Sequence, residues 1–448
     1  MQSRLIALLL TIASASADED RPNLLIILTD DHGYSDVSAY QETDVRTPHI
    51  DSIGTEGVLF TNMRANCTVC SPSRAAMLTG RNADRVGVPG VIRTFAHNSW
   101  GFFDPEVPTL ADELKRTGYH TSLIGKWHLG LESPNLPNQR GFDHFHGFLG
   151  DMMDDYYRHS RHGNQYMRRN ESPVKAEGHA TEVFTDWAIE HFRERKDAGP
   201  FFMFLSYNAP HFPIQPPQEW LEKTRQRHPD MAPARARNVA FVEHLDHHIG
   251  RILDALEELG LANNTVVVFS VDNGGSIPHA QNNDPWRGGK QDHYDGGLRV
   301  PFMVRWPEKI QPGTRSDYNG LLFDIFPTFL ELAGADMPDD LDAMSLTPIL
   351  HGQELETPDR ELYFVRREGN PRHAGLAYHA LIQGDWKILR NHPFQPYELY
   401  NLKNDPLEQH DLAKDEPQVF EKLLLTLARH IQRGGGTPWQ PPAPSESP

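Results

Sequence analysis

The stretch Asn23-Leu24-Leu25-Ile26-Ile27-Leu28-Thr29 is apolar at consecutive positions rather than at alternating ones. A strand covered on one face alternates. A strand covered on both reads as a continuous apolar run, the pattern of a parallel sheet between helices. This run stops abruptly at Asp30-Asp31-His32-Gly33, and three further strand-like stretches likewise end in polar residues. Residues 119–124 lead into Gly125-Lys126-Trp127-His128-Leu129-Gly130, residues 201–207 into Asn208-Ala209-Pro210-His211-Phe212-Pro213, and residues 265–271 into Asp272-Asn273-Gly274-Gly275. Adjacent carboxylates at the end of a buried strand are costly unless a cation sits beside them. In open α/β sheets, ligands bind beyond the carboxyl ends of the strands. Four such ends bearing acids, amides, lysine and histidine point to one site at one edge of one sheet. Solvated turns are the competing reading, and the convergence weighs against them.

Residues 110–118 read as a short helix stopped by Gly118. Phe241, Leu245, Ile249, Ile252, Leu253, Leu256 and Leu259 recur at helical spacing up to Gly260. After about residue 350 the texture changes to short strands at 362–365, 377–382, 386–389 and 398–402, closed by an apolar-striped helix at 420–431. The expected fold is α/β: a large mixed, mostly parallel sheet flanked by helices, plus a small C-terminal antiparallel sheet with one helix. The boundaries expected are 18–350 for a catalytic domain, 351–433 for a small α+β subdomain and 434–448 for a disordered Gly/Pro-rich tail.

Lysine and arginine number 43 against 61 aspartates and glutamates, a net charge of −18. That balance argues against nucleic acid and against a polybasic membrane contact. It also repels anionic substrates, so an anion pocket has to be locally positive, with Arg74, Lys126 and Lys290 as candidates. Arg4, the apolar residues 5–12 and Ala15-Ser16-Ala17 read as an export signal cleaved after Ala17, a short buried strand or anchor being the alternative. The run is too short to span a bilayer. The expectation is a periplasmic or secreted protein with no membrane span, and two cysteines rule out a disulfide framework.

Cys70-Ser71-Pro72-Ser73-Arg74-Ala75-Ala76-Met77-Leu78-Thr79-Gly80-Arg81 is the densest cluster of chemistry. A helix starting just after Pro72 places Cys70 at an anion-attracting N-terminus. Arg74 then lies about one turn on, with a fork of donors for an oxyanion. Cys67-Thr68-Val69-Cys70 is also a Cys-x-x-Cys, readable as a redox pair or half a metal site. Two cysteines exclude a four-thiolate zinc site, and Cys67 alone reads more simply as a small buried thiol. Asp30, Asp31, Asp272 and Asn273 offer oxygen donors only, which suits a hard divalent cation. His32, His49, His144 and His146 carry no motif that lifts them above surface or packing roles.

Residues 70–81 resemble the signature of the type I sulfatases, Cys-x-Pro-x-Arg followed by x-x-x-Leu-Thr-Gly-Arg, at every fixed position. Residues 125–130 resemble the second signature of that family. His211 in Pro-His-x-Pro and Lys290 in Arg287-Gly288-Gly289-Lys290 are familiar placements, and residues 295–301 carry Asp295 where Glu is more usual. The resemblance implies an alkaline phosphatase-like fold. It implies that a formylglycine-generating enzyme converts Cys70 to formylglycine (3-oxoalanine), whose hydrate attacks sulfur. Asp30, Asp31, Asp272 and Asn273, with the converted Cys70, would then bind calcium, magnesium being the alternative. By the same resemblance Arg74 and Lys126 hold the hydrate and the sulfate oxygens, His211 or Lys290 protonates the leaving oxygen, and His128 removes a proton as the sulfated diol collapses.

Loops at 91–104, 151–175 and 277–286 carry Trp100, Phe102, Tyr156, Tyr157, Tyr166 and Trp286, with Arg158 and Arg161. Aromatics there suit a sugar ring, so the expected substrate is a sulfated carbohydrate or other small sulfated molecule. Two other readings stay open: a phosphodiesterase or phosphonate monoester hydrolase of the same fold, and a non-catalytic protein that binds sulfate esters.

Overall fold

In the computed structural model, which describes residues 21–357 and 359–442, the four expected strands lie side by side in one sheet. Its strands are β1 (Asn23–Thr29), β2 (Val58–Phe60), β3 (His120–Lys126), β4 (His144–Phe148), β5 (Met167–Arg169), β6 (Ser172–Pro173), β7 (Phe201–Ser206), β8 (Thr265–Val271), β9 (Phe302–Arg305) and β10 (Thr314–Ser316). They are ordered β10-β2-β9-β8-β1-β7-β3-β4-β5-β6. The inner strands β8, β1, β7, β3 and β4 are parallel, while β9 and β5 run against both of their neighbours. Register aligns the carboxyl ends: Thr29 pairs with Val271, Leu28 with Ser206, and Ser206 with Gly125.

All seven residues of β1 are buried, because each face has its own helical layer. Leu24, Ile26 and Leu28 pack with α1 (Cys70–Thr79), α2 (Leu110–Arg116) and α5 (Ile325–Ala333). Leu25 and Ile27 pack with α3 (Ala180–Arg195) and α4 (Pro233–Glu258). Two helices begin earlier than the sequence pattern suggests. The first, α1, starts at Cys70 itself, with Pro72 inside the first turn, where a missing N–H leaves no intrahelical bond unmade. It stops at Gly80, whose φ of 65° favours glycine and where a Cβ would lie 2.9 Å from Phe326. The second, α4, starts at Pro233, well before its apolar stripe, because Arg235 in its first turn is tied to Asp36 and Asp44.

Four antiparallel strands, β11 (Glu361–Arg367), β12 (Ala377–Gln383), β13 (Trp386–Leu389) and β14 (Glu398–Asn401), form the second sheet, accompanied by α6 (Pro417–Gly434). A buried ion pair, Lys387 to Asp295 at 2.8 Å, fastens this sheet to the first unit, and each partner has a second one on its own side, Glu408 at 2.7 Å from Lys387 and Arg64 at 2.7 Å from Asp295. Of the tail expected at 434–448, residues 443–448 lie outside the described residues, and the described part departs from the sequence reading. Gly434 is still helical, and beyond it Trp439 stacks on Trp100 with ring centroids 5.3 Å apart. Two large aromatic faces outweigh the Gly/Pro composition there. The export signal at 1–17 lies outside the described residues. Among the described residues no helix is long and apolar enough to cross a membrane.

Candidate active site

The carboxyl ends of β1, β8, β3 and β7 deliver Asp30 and Asp31, Asp272 and Asn273, Lys126 and His128, and His211 to one point, which the N-terminus of α1 meets with Cys70. A glycine-rich loop adds Lys290. The expected ligands Asp30, Asp31, Asp272 and Asn273 and the polar residues Cys70, Arg74, Lys126, His128, His211 and Lys290 are brought together. Cys70 Sγ lies 3.3 Å from Asp30 Oδ1, 4.0 Å from Asp31 Oδ1 and 3.9 Å from Lys290 Nζ. Lys126 Nζ donates to Asp30 Oδ2 at 2.5 Å, and Lys290 Nζ to Asp31 Oδ2 at 2.5 Å. Asn273 Nδ2 donates to Asp31 Oδ1 at 2.8 Å. Arg74 places Nε and Nη2 on Asp272 Oδ2, at 3.0 and 2.8 Å, and Nη1 on Ser206 Oγ at 2.5 Å.

Asp30, Asp31 and Asp272 are thus matched by Lys126, Lys290 and Arg74, all inside the protein. Burial opposes the charges on Asp30 and Asp31, yet Lys126 beside the first and Lys290 beside the second hold both below the ordinary carboxylate range. Burial and the charge of Asp30 push Asp272 up instead. Asn273 Oδ1 is buried without any hydrogen-bond partner. An orphaned amide oxygen next to a carboxylate whose charge burial and Asp30 oppose is the environment a hard cation satisfies. Asp30, Asp31, Cys70 and His211 each offer an atom within 4.8 Å of the others, so the cluster can hold a metal ion.

Both cysteines are free and buried. Burial, Asp272 and Asp30 push the Cys70 thiol well up, and burial pushes Cys67 up to about 11. Neither has the stabilised thiolate that redox exchange needs. Cys67 Sγ instead donates to Val365 O at 3.1 Å, which bears out its reading as a packed thiol.

The histidines are oriented by carbonyls, which only accept. His128 Nε2–H donates to Ile92 O at 2.9 Å, leaving Nδ1 with a free lone pair and no partner. Burial, reinforced by Lys126 and Arg74, keeps that ring neutral. His211 Nδ1–H donates to Phe212 O at 2.7 Å, so Nε2 accepts from Lys290 Nζ at 3.1 Å. Burial lowers His211 against the pull of Asp31. On Lys290 burial also opposes the charge, but Asp31, Cys70 and Asp30 outweigh it and raise the ammonium above its ordinary value.

Cys70, His128, His211 and Lys290 open onto a cavity of about 380 Å³. Arg74 and Lys126 lie outside its lining, behind the carboxylates they bind, so the guanidinium fork expected to face an oxyanion is engaged by Asp272. Arg93, Arg161 and Arg366 line the wall with Asp151 and Glu368. Arg161 pairs with Asp151 at 2.8 Å, while Arg93 and Arg366 share Glu368 at 2.8 and 3.1 Å. Arg366 and Glu368 come from the C-terminal sheet and carry no local signature. The six loop aromatics are not on this wall. Trp100 is covered by Trp439, Tyr156 Oη donates to Asn208 O and His211 O, and Trp286 meets the edge of Tyr34. Phe212 and His279 line the cavity instead, stacked 4.3 Å apart.

The family model described as "Sulfatase" matches residues 22–335, and that described as "N-sulphoglucosamine sulphohydrolase, C-terminal" matches residues 289–433. The chain is 31% identical over 378 residues to N-acetylgalactosamine-6-sulfatase of Homo sapiens, covering 79% of this chain and 70% of that protein. It is 30% identical over 431 residues to steryl-sulfatase of Homo sapiens, covering 77% and 72%. Among solved structures it is similar to Ps i-CgsB in complex with k-i-k-neocarrahexaose, with a TM-score of 0.85 at 28% identity over 94% of this chain and 95% of that one.

Proposed function

The chain belongs to the sulfatase family, the sulfuric ester hydrolases, and from that premise we propose that it cleaves a sulfate ester on a carbohydrate, using formylglycine made from Cys70 and a calcium ion held by Asp30, Asp31, Asp272 and Asn273. The observation that carries the proposal is the placement of Asp30, Asp31 and Lys290 within 4.0 Å of Cys70 Sγ, with His211 in the same cluster, at a helix N-terminus that lines a cavity. A thiol kept protonated is a poor nucleophile. Its conversion to the aldehyde supplies a hydrated oxygen nucleophile at the same point. Calcium, when bound, adds two positive charges to a site whose own charges balance, and so favours a sulfate there.

The chain's own groups do the remaining work. Lys290 holds a proton beside His211 Nε2, and this pair protonates the leaving oxygen of the sugar. His128 presents an unprotonated Nδ1 as the base that takes a proton when sulfate is expelled. Arg74 and Lys126 fix Asp272 and Asp30 from behind and contribute positive potential to the developing charge. The stacked Phe212–His279 pair offers a flat apolar face for a sugar ring, and Asp151, Glu368 and the wall arginines offer partners for its hydroxyls. The names of N-acetylgalactosamine-6-sulfatase and of the k-i-k-neocarrahexaose complex support a saccharide substrate. Maturation then calls for a formylglycine-generating enzyme, and residues 1–17 for export to the periplasm or beyond.

Mass spectrometry of the Cys70 peptide, from protein purified from its native host, tests the nucleophile: the aldehyde or its hydrate is expected. Converted enzyme is then assayed on sulfated saccharides, an aryl sulfate and an aryl phosphodiester. Release of sulfate from a saccharide supports the reading. An unmodified thiol in active enzyme, or a preference for the phosphodiester, overturns it.

A further inference from the structure

Away from the active site, α3 and α4 bring Glu182, His244 and His248 together, one atom of each lying within 4.8 Å of the others. The histidines are four residues apart on α4, so both rings leave the same face of the helix. Glu182 faces them from the first turn of α3. Its Oε1 lies 3.4 Å from His244 Nε2, which is long for an N–H···O bond. Two ligands of one tetrahedral ion, each bonded at about 2.0–2.1 Å, stand roughly 3.4 Å apart. His244 and His248 are 1% and 4% exposed, whereas the Glu182 side chain is 43% exposed and opens the cluster to solvent. His244 Nδ1 is buried with no partner at all. Burial keeps both rings unprotonated, the form that ligates.

The neighbours are compatible with an ion. His248 Nδ1 accepts from Arg251 Nη1 at 3.2 Å, but Arg251 is anchored independently by Asp186 at 2.7 Å, so the histidine can change partner without stranding the guanidinium. His179, which packs edge-on against His244, has both nitrogens in use, one accepting from Thr181 N–H and the other on Gln215 O. It is therefore not a fourth ligand, and that position is left to water.

We propose that Glu182, His244 and His248 form a second metal site, for a divalent first-row transition ion such as zinc, that clips α3 to α4 over one face of the central sheet. Imidazole and carboxylate donors select such ions, unlike the oxygen-rich set at the strand ends. The clip does not depend on the proposed hydrolysis.

The test is equilibrium dialysis of the full chain against zinc in excess calcium, with elemental analysis, and cobalt absorption as a second readout. Wild type is expected to retain one zinc and to show the strong visible bands of a four-coordinate cobalt ion. His248→Gln loses both signals, and Glu182→Gln weakens zinc binding by about tenfold or more. Zinc raises the thermal midpoint of wild type and leaves that of His248→Gln unmoved, while both variants keep calcium and hydrolysis. If His248→Gln does not fold, the exposed Glu182→Gln decides alone. A wild type that retains no zinc, or variants that bind it as wild type does, overturns the site, the latter placing the ion at another cluster.

Discussion

His128 shows how the residue proposed as the base is prepared for that role. Its backbone is left-handed, with φ of 62°, which turns the ring so that Nε2 meets Ile92 O and Nδ1 is left unused. Its pKa is depressed, so the base is fully available above that lowered value and is lost only when the pH falls through it. Lys290 is raised, so its proton persists through the ordinary lysine range. The kcat profile of converted enzyme should therefore be flat from about pH 6 to about pH 9, with an acid limb below the usual histidine value of about 6.5. An acid limb centred on 6.5 would show that His128 is not held neutral. Replacing His128 by Gln should lower kcat by about 10²–10⁴ while the Cys70 peptide is still converted. Cys70→Ala should reduce turnover to background with an unchanged circular dichroism spectrum, because the thiol's packing neighbours lose one atom. An active, folded Cys70→Ala enzyme would remove the nucleophile from Cys70.

At the level of elements, the site depends on how closely β3, β4 and β7 approach. A Cβ on Gly125 would lie 2.0 Å from Ser206 O, and its φ of 100° is one that side chains avoid. Gly125→Ala is therefore expected to cost at least about 3 kcal/mol and to displace Lys126, the next residue, read as a lower thermal midpoint with lost activity. A neutral result would mean the strands part without penalty. The same elements explain what could be read from the chain. The apolar runs ending in Asp30-Asp31, His211 and Asp272-Asn273, with the plausible strand before Lys126, report burial on two faces and a shared edge, and both proved true of the sheet. Short edge strands such as β5 and β6 carry no such run, since two or three residues set no period. Arg93, Arg366, Glu368, Phe212 and His279 were not found because they reach the cavity only through tertiary placement, two of them from a different sheet. The loop aromatics misled for the converse reason: a tyrosine such as Tyr156 is recruited to brace backbone carbonyls, a use its sequence neighbourhood does not reveal.

Across the whole molecule, an acidic surface surrounds a site whose own carboxylates and cations cancel. On the proposed reading, a bound ion is then what would make the pocket attractive to an anion. Dialysis against a calcium chelator should abolish sulfate release and lower the thermal midpoint by a few degrees, since an ion present at one hundred times its Kd stabilises by about 2.7 kcal/mol. Retention of full activity without the ion would contradict its role. The C-terminal segment contacts the loop that borders the same pocket. Trp439 stacks on Trp100 and lies under Arg367, with the guanidinium 4.8 Å from its centroid, and Thr437 Oγ1 donates to Arg85 O at 3.1 Å. Trp100 N–H donates to Val91 O at 2.9 Å, and the next residue supplies the carbonyl that orients His128. Removing residues 435–448 should therefore cost about 1–2 kcal/mol, from the lost stack and cation–π contact, and should lower kcat several-fold by loosening the loop at 91–104. Trp439→Ala in the full chain should reproduce most of both effects, and its coupling to His128→Gln should be strongly non-additive if the path runs through Ile92. Unchanged stability and turnover in the truncated protein would mean that the segment merely rests on the surface. A loss of stability with kcat intact would place it in the scaffold and sever its link to the base.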